Sequence, residues 1–322
     1  HAFSLRGAVT LGIYHICAHP RLGSICRFEE SIEDDLLVYR IYYYSFTQRF
    51  LKPLNLFLYG LAGVLGYFKT IKKFGKPDIN HVHVLTRVGV FALIAKFLHK
   101  TPYVISEHWS RYLPERNTYR GFLRKVVTRL VVQESNGIAA VSENLKSAIL
   151  KKSLYHKHFI TIPNTINFSF FKPTDQGIKI SFHFLHVSGL TNSIKNVTGI
   201  LDACSLLLKK GFLFKLHIVG NDDSIDSLIE YSIQLNLQRN VFFMGELTGA
   251  YLVNQYQQAD AFILFSYFEN QPCVLIEAFS CGVPVIATRA GGIPEIVGEA
   301  NGILVNTGNI QMLANAMEDF IT

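Results

Sequence analysis

The chain is 322 residues long with a formal net charge of +7, 49% hydrophobic and 17% charged residues, a composition too apolar for a disordered chain. Its 23 Gly and 10 Pro exclude a collagen-like or low-complexity sequence, and at about 150 residues per domain the length suits two domains. Five Cys, at 17, 26, 204, 273 and 281, form no C-x-x-C pair, which argues against a disulfide framework or a zinc site and fits a reducing cytoplasm. In chain order, short apolar runs predict strands at 10–16, 37–43, 79–84, 103–106, 137–141 and 159–162, with helical patterns at 88–98 and 118–134 between them. The longest apolar run, 56–68, is 13 residues, short of the about 18 to 20 needed to cross a bilayer, so no crossing is expected there. Residues 167–179, with Pro173 and Gly177, read as a linker. Beyond it, strands are expected at 182–187, 215–219, 241–244, 261–265 and 284–287, and helices at 197–210, 225–235, 250–257 and 273–279. Alternating strands and helices mean parallel α/β sheets, here two doubly wound domains facing a central cleft, 1–166 and 180–322. No basic n-region with a following apolar stretch opens the chain, so no signal peptide is read.

Charge is unevenly spread. Residues 1–165 hold 23 Lys/Arg against 10 Asp/Glu, and residues 166–322 hold 8 against 14. A basic first half suits an anionic partner: a phosphate-bearing substrate, an acidic membrane surface or a nucleic acid. No nucleic-acid-binding signature occurs, so nucleic acid is not expected. The segment 49–76 interleaves Phe, Leu and Tyr with Lys69, Lys72, Lys73 and Lys76, a mixture that can lie on anionic lipid. A helix packed on its own sheet with a solvated basic end explains it equally well.

In doubly wound sheets, ligands gather at the carboxyl ends of the strands, where Glu107-His108, Asn164, Ser188-Gly189, Glu269-Asn270 and Ala290-Gly291-Gly292 fall. The densest stretch, 264–296, reads LFSYFENQPCVLIEAFSCGVPVIATRAGGIPEI. A strand ends, a loop carries Glu269, and a helix opens behind Pro272. The free N–H groups of its first turn, from Cys273 and Val274 onward, favour an anion. Glu277 sits deeper on that helix, and Gly291-Gly292 permits close backbone approach to a ligand.

This stretch resembles the signature of the retaining glycosyltransferases of family 4, matched by Ser266, Glu269, Glu277-Ala278, Gly282, Pro284-Val285, Gly291-Gly292 and Pro294-Glu295. Further matches follow in order: His83, Glu107-His108, Val141-Ser142-Glu143, Ile162-Pro163-Asn164-Thr165, Val187-Ser188-Gly189 and Lys195-Asn196. The resemblance implies the GT-B fold of two Rossmann-like domains, a nucleoside-diphosphate sugar as donor (UDP before GDP), and no metal or other cofactor. It implies that Glu277 binds the ribose hydroxyls and Glu269 the transferred sugar. Gly189, Asn270, Cys273 and Val274 would line the donor. Lys195 would neutralise the departing diphosphate, His108 would stand near the reacting sugar, and His83, Glu107 and Asn164 would face the cleft or the acceptor. A glycan or lipid-linked acceptor in bacterial surface-polysaccharide assembly, at the inner face of the cell membrane, would suit the basic first half.

Blander readings accompany these. Glu269 could serve only the helix dipole, Glu277 and Lys195 could be surface residues, His108 a satisfied strand-end histidine and Asn164 a turn residue. His81 and His83 share a strand face, but two ligands make no metal site. Gly60, Gly63 and Gly66 read as close helix packing. Two departures from the family stand out: Leu190 occupies the place of the usual Arg, and the family's opening strand and loop and its closing helix are not recognised, so a fragment is expected. A non-catalytic sugar-nucleotide-binding protein and a sugar-nucleotide epimerase of the same fold are the competing functions.

Overall fold

The computed structural model describes residues 12–19, 23–33, 36–85, 87–116, 118–174 and 181–322. The segment opening at His1, which by the resemblance already corresponds to the family's first helix, the start of the strand expected at 10–16 and Gly177 of the expected linker lie outside them. Packing groups the chain into two units, residues 1–105 with 134–136, and residues 106–133 with 137–322.

In the first unit, strands Gly12–His19 (β1), Cys26–Glu33 (β2) and Leu36–Tyr44 (β3) form a sheet in the order β1-β3-β2. β1 runs parallel to β3, whereas β2 is antiparallel to it, Cys26 opposite Tyr43 and Glu33 opposite Leu36. This corrects the expectation of parallel strands alone, and β2 itself is absent from the sequence reading. Its residues, CRFEESIE, look polar because it is an edge strand held partly by charge: Arg40 Nη2 donates to Glu33 Oε2 at 2.7 Å. Tyr39, Ile41 and Tyr43 alternate along β3 onto one face and form a small core with Ala62, Phe28 and Tyr59.

Helix Lys52–Phe74 (α1) covers that core, starting behind Leu51 with Pro53 in its first turn. Its buried contacts are small, Ala62, Gly63 and Gly66. A Cβ on Gly63 would come within 2.1 Å of the Phe91 ring of helix Val88–His99 (α2), so at Gly63 the glycine triplet does serve close helix packing. Strand Asn80–His83 (β4) lies beside strand Tyr103–Glu107 (β5). The reading of 56–68 as too short to cross a membrane needs correction. Single polar residues do not end a helix, so α1 runs for 23 residues and contains an 18-residue window of mean hydropathy 1.3. Among the described residues it is long and apolar enough to cross a membrane, by length and composition only.

The second unit contains helix Phe122–Gln133 (α3), strand Gly137–Ala140 (β6), helix Glu143–Leu150 (α4) and strand Phe159–Thr161 (β7), with β6 parallel to β7. It continues through Phe182–Val187 (β8), Asn192–Lys195 (α5), Val197–Lys209 (α6), Phe214–Val219 (β9), Ile225–Gln234 (α7) and Val241–Gly245 (β10). Then come Gly249–Gln258 (α8), Ala261–Leu264 (β11), Cys273–Ser280 (α9), Val285–Thr288 (β12), Gly302–Val305 (β13) and Ile310–Ile321 (α10). β13 and α10 were not read from the sequence. The last six strands form one sheet in the order β10-β9-β8-β11-β12-β13, every neighbouring pair parallel.

Counted from β8, that order is 3-2-1-4-5-6, the doubly wound Rossmann arrangement. Strand alternation builds a core on each face. Phe184, Leu216, Ile218, Ile263 and Ile286 pack on one side with α6 and α10, while Leu185, Val219, Phe262, Leu264 and Val285 pack on the other with Leu275 and Ala278 of α9. A central strand can therefore be apolar at every position, as AFIL of β11 is.

Candidate active site

β8 and β11 are neighbours in the sheet, yet the chain continues from β8 to β9 on one side and from β11 to β12 on the other. Their connecting loops part at this point and leave a crevice at the strand ends. The loop after β8 carries Ser188, Gly189 and Leu190. Below it His186 is fully buried, with Nδ1 2.9 Å from Ile263 O and Nε2 2.8 Å from Ser188 Oγ. A carbonyl only accepts, so Nδ1 holds the proton and Nε2 accepts from the Ser188 hydroxyl. Ser188 Oγ in turn accepts from the Leu190 N–H at 3.0 Å. Gly220, at φ +136°, closes against this loop, and a Cβ there would sit 1.8 Å from Ser188 O. Burial is the main cause that lowers the His186 pKa to about 4, which keeps the imidazole neutral.

Lys195 ends the short α5, and the loop after β11 is tied to that turn by the Tyr267 N–H donating to Ile194 O at 2.8 Å. This register brings Lys195 Nζ to 2.6 Å from Glu269 Oε1, with the Glu269 side chain 10% and the Lys195 side chain 21% exposed. Gly291, at φ +54°, lies directly on this loop. A Cβ at Gly291 would fall 1.6 Å from Glu269 O, and one at Gly292 2.1 Å from Asn270 O. The close approach expected at these glycines is thus to the loop that carries Glu269 and Asn270. Two buried polar atoms of the loop, Ser266 Oγ and Asn270 Oδ1, have no hydrogen-bond partner.

Helix α9 begins behind Pro272, which offers no side-chain cap, so the first-turn N–H groups point out of the helix end. Glu277 lies a turn deeper and accepts a 2.7 Å hydrogen bond from the Tyr256 hydroxyl. Burial raises the Glu277 carboxyl above its usual range, a shift that the Tyr256 hydrogen bond partly offsets. Tyr256 is fully buried, and burial pushes its phenol well above the ordinary value.

Residues 106–165 of the same unit add further groups. Glu107 is fully buried, and its Oε1 accepts from the backbone N–H groups of His108 at 3.0 Å and Trp109 at 2.7 Å. It therefore orders the turn that presents His108. Asn270 Nδ2 donates to His108 O. The Asn164 backbone N–H donates to Gln271 Oε1, and its Nδ2 donates to Gln271 O at 2.8 Å. Glu295 caps α4, its two oxygens accepting from Glu143 N–H at 2.8 Å and Asn144 N–H at 2.7 Å. His108, Ala140, Val141, Pro163 and Asn164 line a cleft of about 250 Å³. A side chain on Gly189 would meet nothing within 4 Å, so this position faces open space.

Ten of the expected site residues thus fall in the second unit: Glu107, His108, Asn164, Gly189, Lys195, Glu269, Asn270, Cys273, Val274 and Glu277. His83 belongs to the first unit, where its ring lies 4.4 Å from that of His81. Among the described residues no group of three His, Cys, Asp or Glu gathers as a metal site. Sequence reasoning missed His186, Tyr256 and Gln271. His186 sits inside an apolar-rich strand that read as core, Tyr256 stands among the polar residues of α8 with no sign that its hydroxyl meets Glu277, and only the neighbouring Asn270 pointed to Gln271. Chemically the crevice offers the Lys195 ammonium, a helix end rich in N–H donors, and two carboxylates suited to hydroxyl groups, which is the complement of a sugar joined to a diphosphate.

Two family profiles together match most of the chain, "Glycosyltransferase Family 4" over residues 14–170 and "Glycosyl transferases group 1" over residues 174–322. The capsular polysaccharide biosynthesis glycosyltransferase CapM of Staphylococcus aureus is 24% identical over 249 residues, 73% of this chain and 65% of CapM. The chain therefore spans less than two thirds of that relative. Among solved structures, a sucrose-phosphate synthase from Thermosynechococcus elongatus aligns at TM-score 0.78 and 18% identity, covering 98% of this chain and 80% of its own. HepE from Anabaena, solved in complex with UDP, aligns at 0.72 and 20% identity, covering 96% and 89%. The fold is that of the GT-B glycosyltransferases, and the chain belongs to glycosyltransferase family 4.

Proposed function

We propose that this chain is a retaining, metal-independent hexosyltransferase, in which residues 180–322 hold a UDP-linked sugar and residues 1–166 serve a glycan or lipid-linked acceptor in bacterial surface-polysaccharide assembly. The observation that carries this reading is the 2.6 Å Lys195–Glu269 pair at the strand switch point, beside the uncapped end of α9 with Glu277 on it. CapM's name supports the polysaccharide setting, and the UDP bound to HepE supports the nucleotide. In the reaction the bond between the anomeric carbon and the diphosphate oxygen breaks, and its electron pair goes to the diphosphate. The acceptor hydroxyl attacks the same face of the sugar and gives its proton to the departing phosphate oxygen. Lys195 and the α9 N–H groups stabilise the charge that develops there. Glu277 holds the ribose, Glu269 and Asn270 the transferred sugar, and His108 approaches from the side of the Asn164 cleft.

Thermal stabilisation by UDP, GDP, ADP and their sugars tests the site. A ligand at 100 times its Kd adds about 2.7 kcal/mol. Stabilisation by UDP or a UDP-sugar that Glu277→Ala abolishes is the expected result, together with acceptor-dependent UDP release. Conversion of a UDP-sugar into its epimer without acceptor would favour the epimerase, and no stabilisation by any nucleotide would leave a non-catalytic protein.

A further inference from the structure

The outward face of α1 is apolar along almost its whole length. Phe50, Leu54, Phe57, Leu61, Leu65 and Phe68 follow one another at helical spacing, and all six are exposed, Phe50 at 79% and Phe57 at 64%. Lys72 continues that spacing in the last turn and Lys76 follows the helix end at Gly75, both exposed. Between residues 49 and 76 there are six Lys and Arg and no Asp or Glu. The opposite face is already committed: Ala62, Gly63 and Gly66 are buried, Lys73 pairs with Glu30, and Lys69 sits 4.0 Å above the Phe28 ring.

We propose that this face docks flat on an anionic phospholipid bilayer, the six apolar side chains entering the acyl boundary while Lys72 and Lys76 meet the headgroups. The proposal deepens the reading of a lipid-linked acceptor, and it rests on that reading only for its biological purpose. Charge selects the occupant. A second copy laid against this face would bring cations to cations, because the segment has no acid to receive them, whereas anionic lipid complements the exposed Lys72 and Lys76. Packing selects the posture. A helix fixed along one side to its own sheet presents its other side to a surface, and crossing the bilayer would require stripping it from the β3 core.

The test is co-sedimentation of the whole chain with vesicles of phosphatidylcholine alone or with one third phosphatidylglycerol. The protein is expected to follow the anionic vesicles and to stay in solution with neutral ones. Phe57→Ser combined with Leu61→Ser, and separately Lys72→Glu combined with Lys76→Glu, should each weaken binding about tenfold or more. These four side chains are exposed, so an unchanged melting temperature checks that the variants fold. Equal binding to both vesicles, binding to neither, or a wild-type dimer in solution that the Phe57/Leu61 variant breaks would each overturn the proposal. Stabilisation by UDP, read on the same samples, keeps the two readings apart. A chain that UDP stabilises but that ignores anionic vesicles loses the docking surface and keeps the transferase site.

Discussion

His186 gives a stability signature that can be worked out in advance. Its ring is fully buried, donates from Nδ1 to Ile263 O and accepts at Nε2 from Ser188. Burial first, and the charge of Lys195 second, hold its pKa at about 4 against an ordinary 6.5, while the Ile263 hydrogen bond pulls the other way. The unfolded chain therefore takes up a proton as pH falls below 6.5, and the folded chain does so only near 4. Between those values the unfolded state binds more protons, so stability falls as pH falls and levels off below the folded pKa. At 1.36 kcal/mol per pH unit the full window is worth about 3 kcal/mol, and the step from pH 6.5 to 5 about 2 kcal/mol. Urea unfolding of wild type and His186→Gln, compared at pH 7.5, 6 and 5, isolates this contribution. The variant loses a hydrogen bond at every pH, so only the change in the difference counts. The advantage of wild type over the variant should shrink by about 2 kcal/mol between pH 7.5 and 5. Parallel curves would show that His186 does not sit neutral in the core and would sink the relay to Leu190.

Three further substitutions probe the loops. Gly291→Ala places a methyl group 1.6 Å from Glu269 O at a φ of +54°, so it should cost more than about 2 kcal/mol. It should also weaken UDP-sugar binding more than a distant change of equal cost, which calorimetric titration would show. Glu295→Ala removes the acceptor of two first-turn N–H groups of α4; because the carboxylate is exposed, about 1 kcal/mol in the denaturation midpoint is expected, and an unchanged midpoint would refute the cap. Leu190→Arg, which restores the family's usual residue, should destabilise by about 3 kcal/mol or more instead of raising activity, because Leu190 is fully buried in the β8 core. Enhanced turnover without a loss of melting temperature would show that the side chain can swing out to the diphosphate.

What the sequence revealed follows a physical line. Strands buried on both faces announce themselves as apolar-rich runs, so β11 and β12, and β8 in spite of its two histidines, were legible within a residue or two, and with them the loops where Lys195 and Glu269 stand. β2 was not, because an edge strand half in water mixes Arg27, Glu29 and Glu30 with its apolar residues. α1 was misjudged because an uninterrupted apolar run measures hydrophobicity, whereas helix length depends on where the backbone stops. Within the site, the carboxylates and the lysine could be found by type and order. Their partners could not. Tyr256 lies on α8, thirteen residues before Glu269, and becomes the support of Glu277 only when α8 and α9 pack on one face of the sheet.

The glycine pair and the Leu190 departure share one explanation. The crevice is built first to hold its own loops. Gly291 and Gly292 let one strand end lie on the backbone of Glu269 and Asn270, Gly220 does the same for Ser188, and Leu190 turns into the core to anchor the β8 loop. With Leu190 in the place of the family's usual Arg, Lys195 is a cation of this crevice, and it is already matched by Glu269 at 2.6 Å. Neither ion could stay so little exposed without the other. On the proposed reading, a diphosphate enters by offering Lys195 more negative charge than one carboxylate can, and the released Glu269 then finds its acceptor bonds satisfied by sugar hydroxyls. Nucleotide alone would supply the first half of that exchange and leave Glu269 unpaired. The sugar is therefore what completes the site energetically, so this crevice should hold the intact nucleotide-sugar in preference to its product.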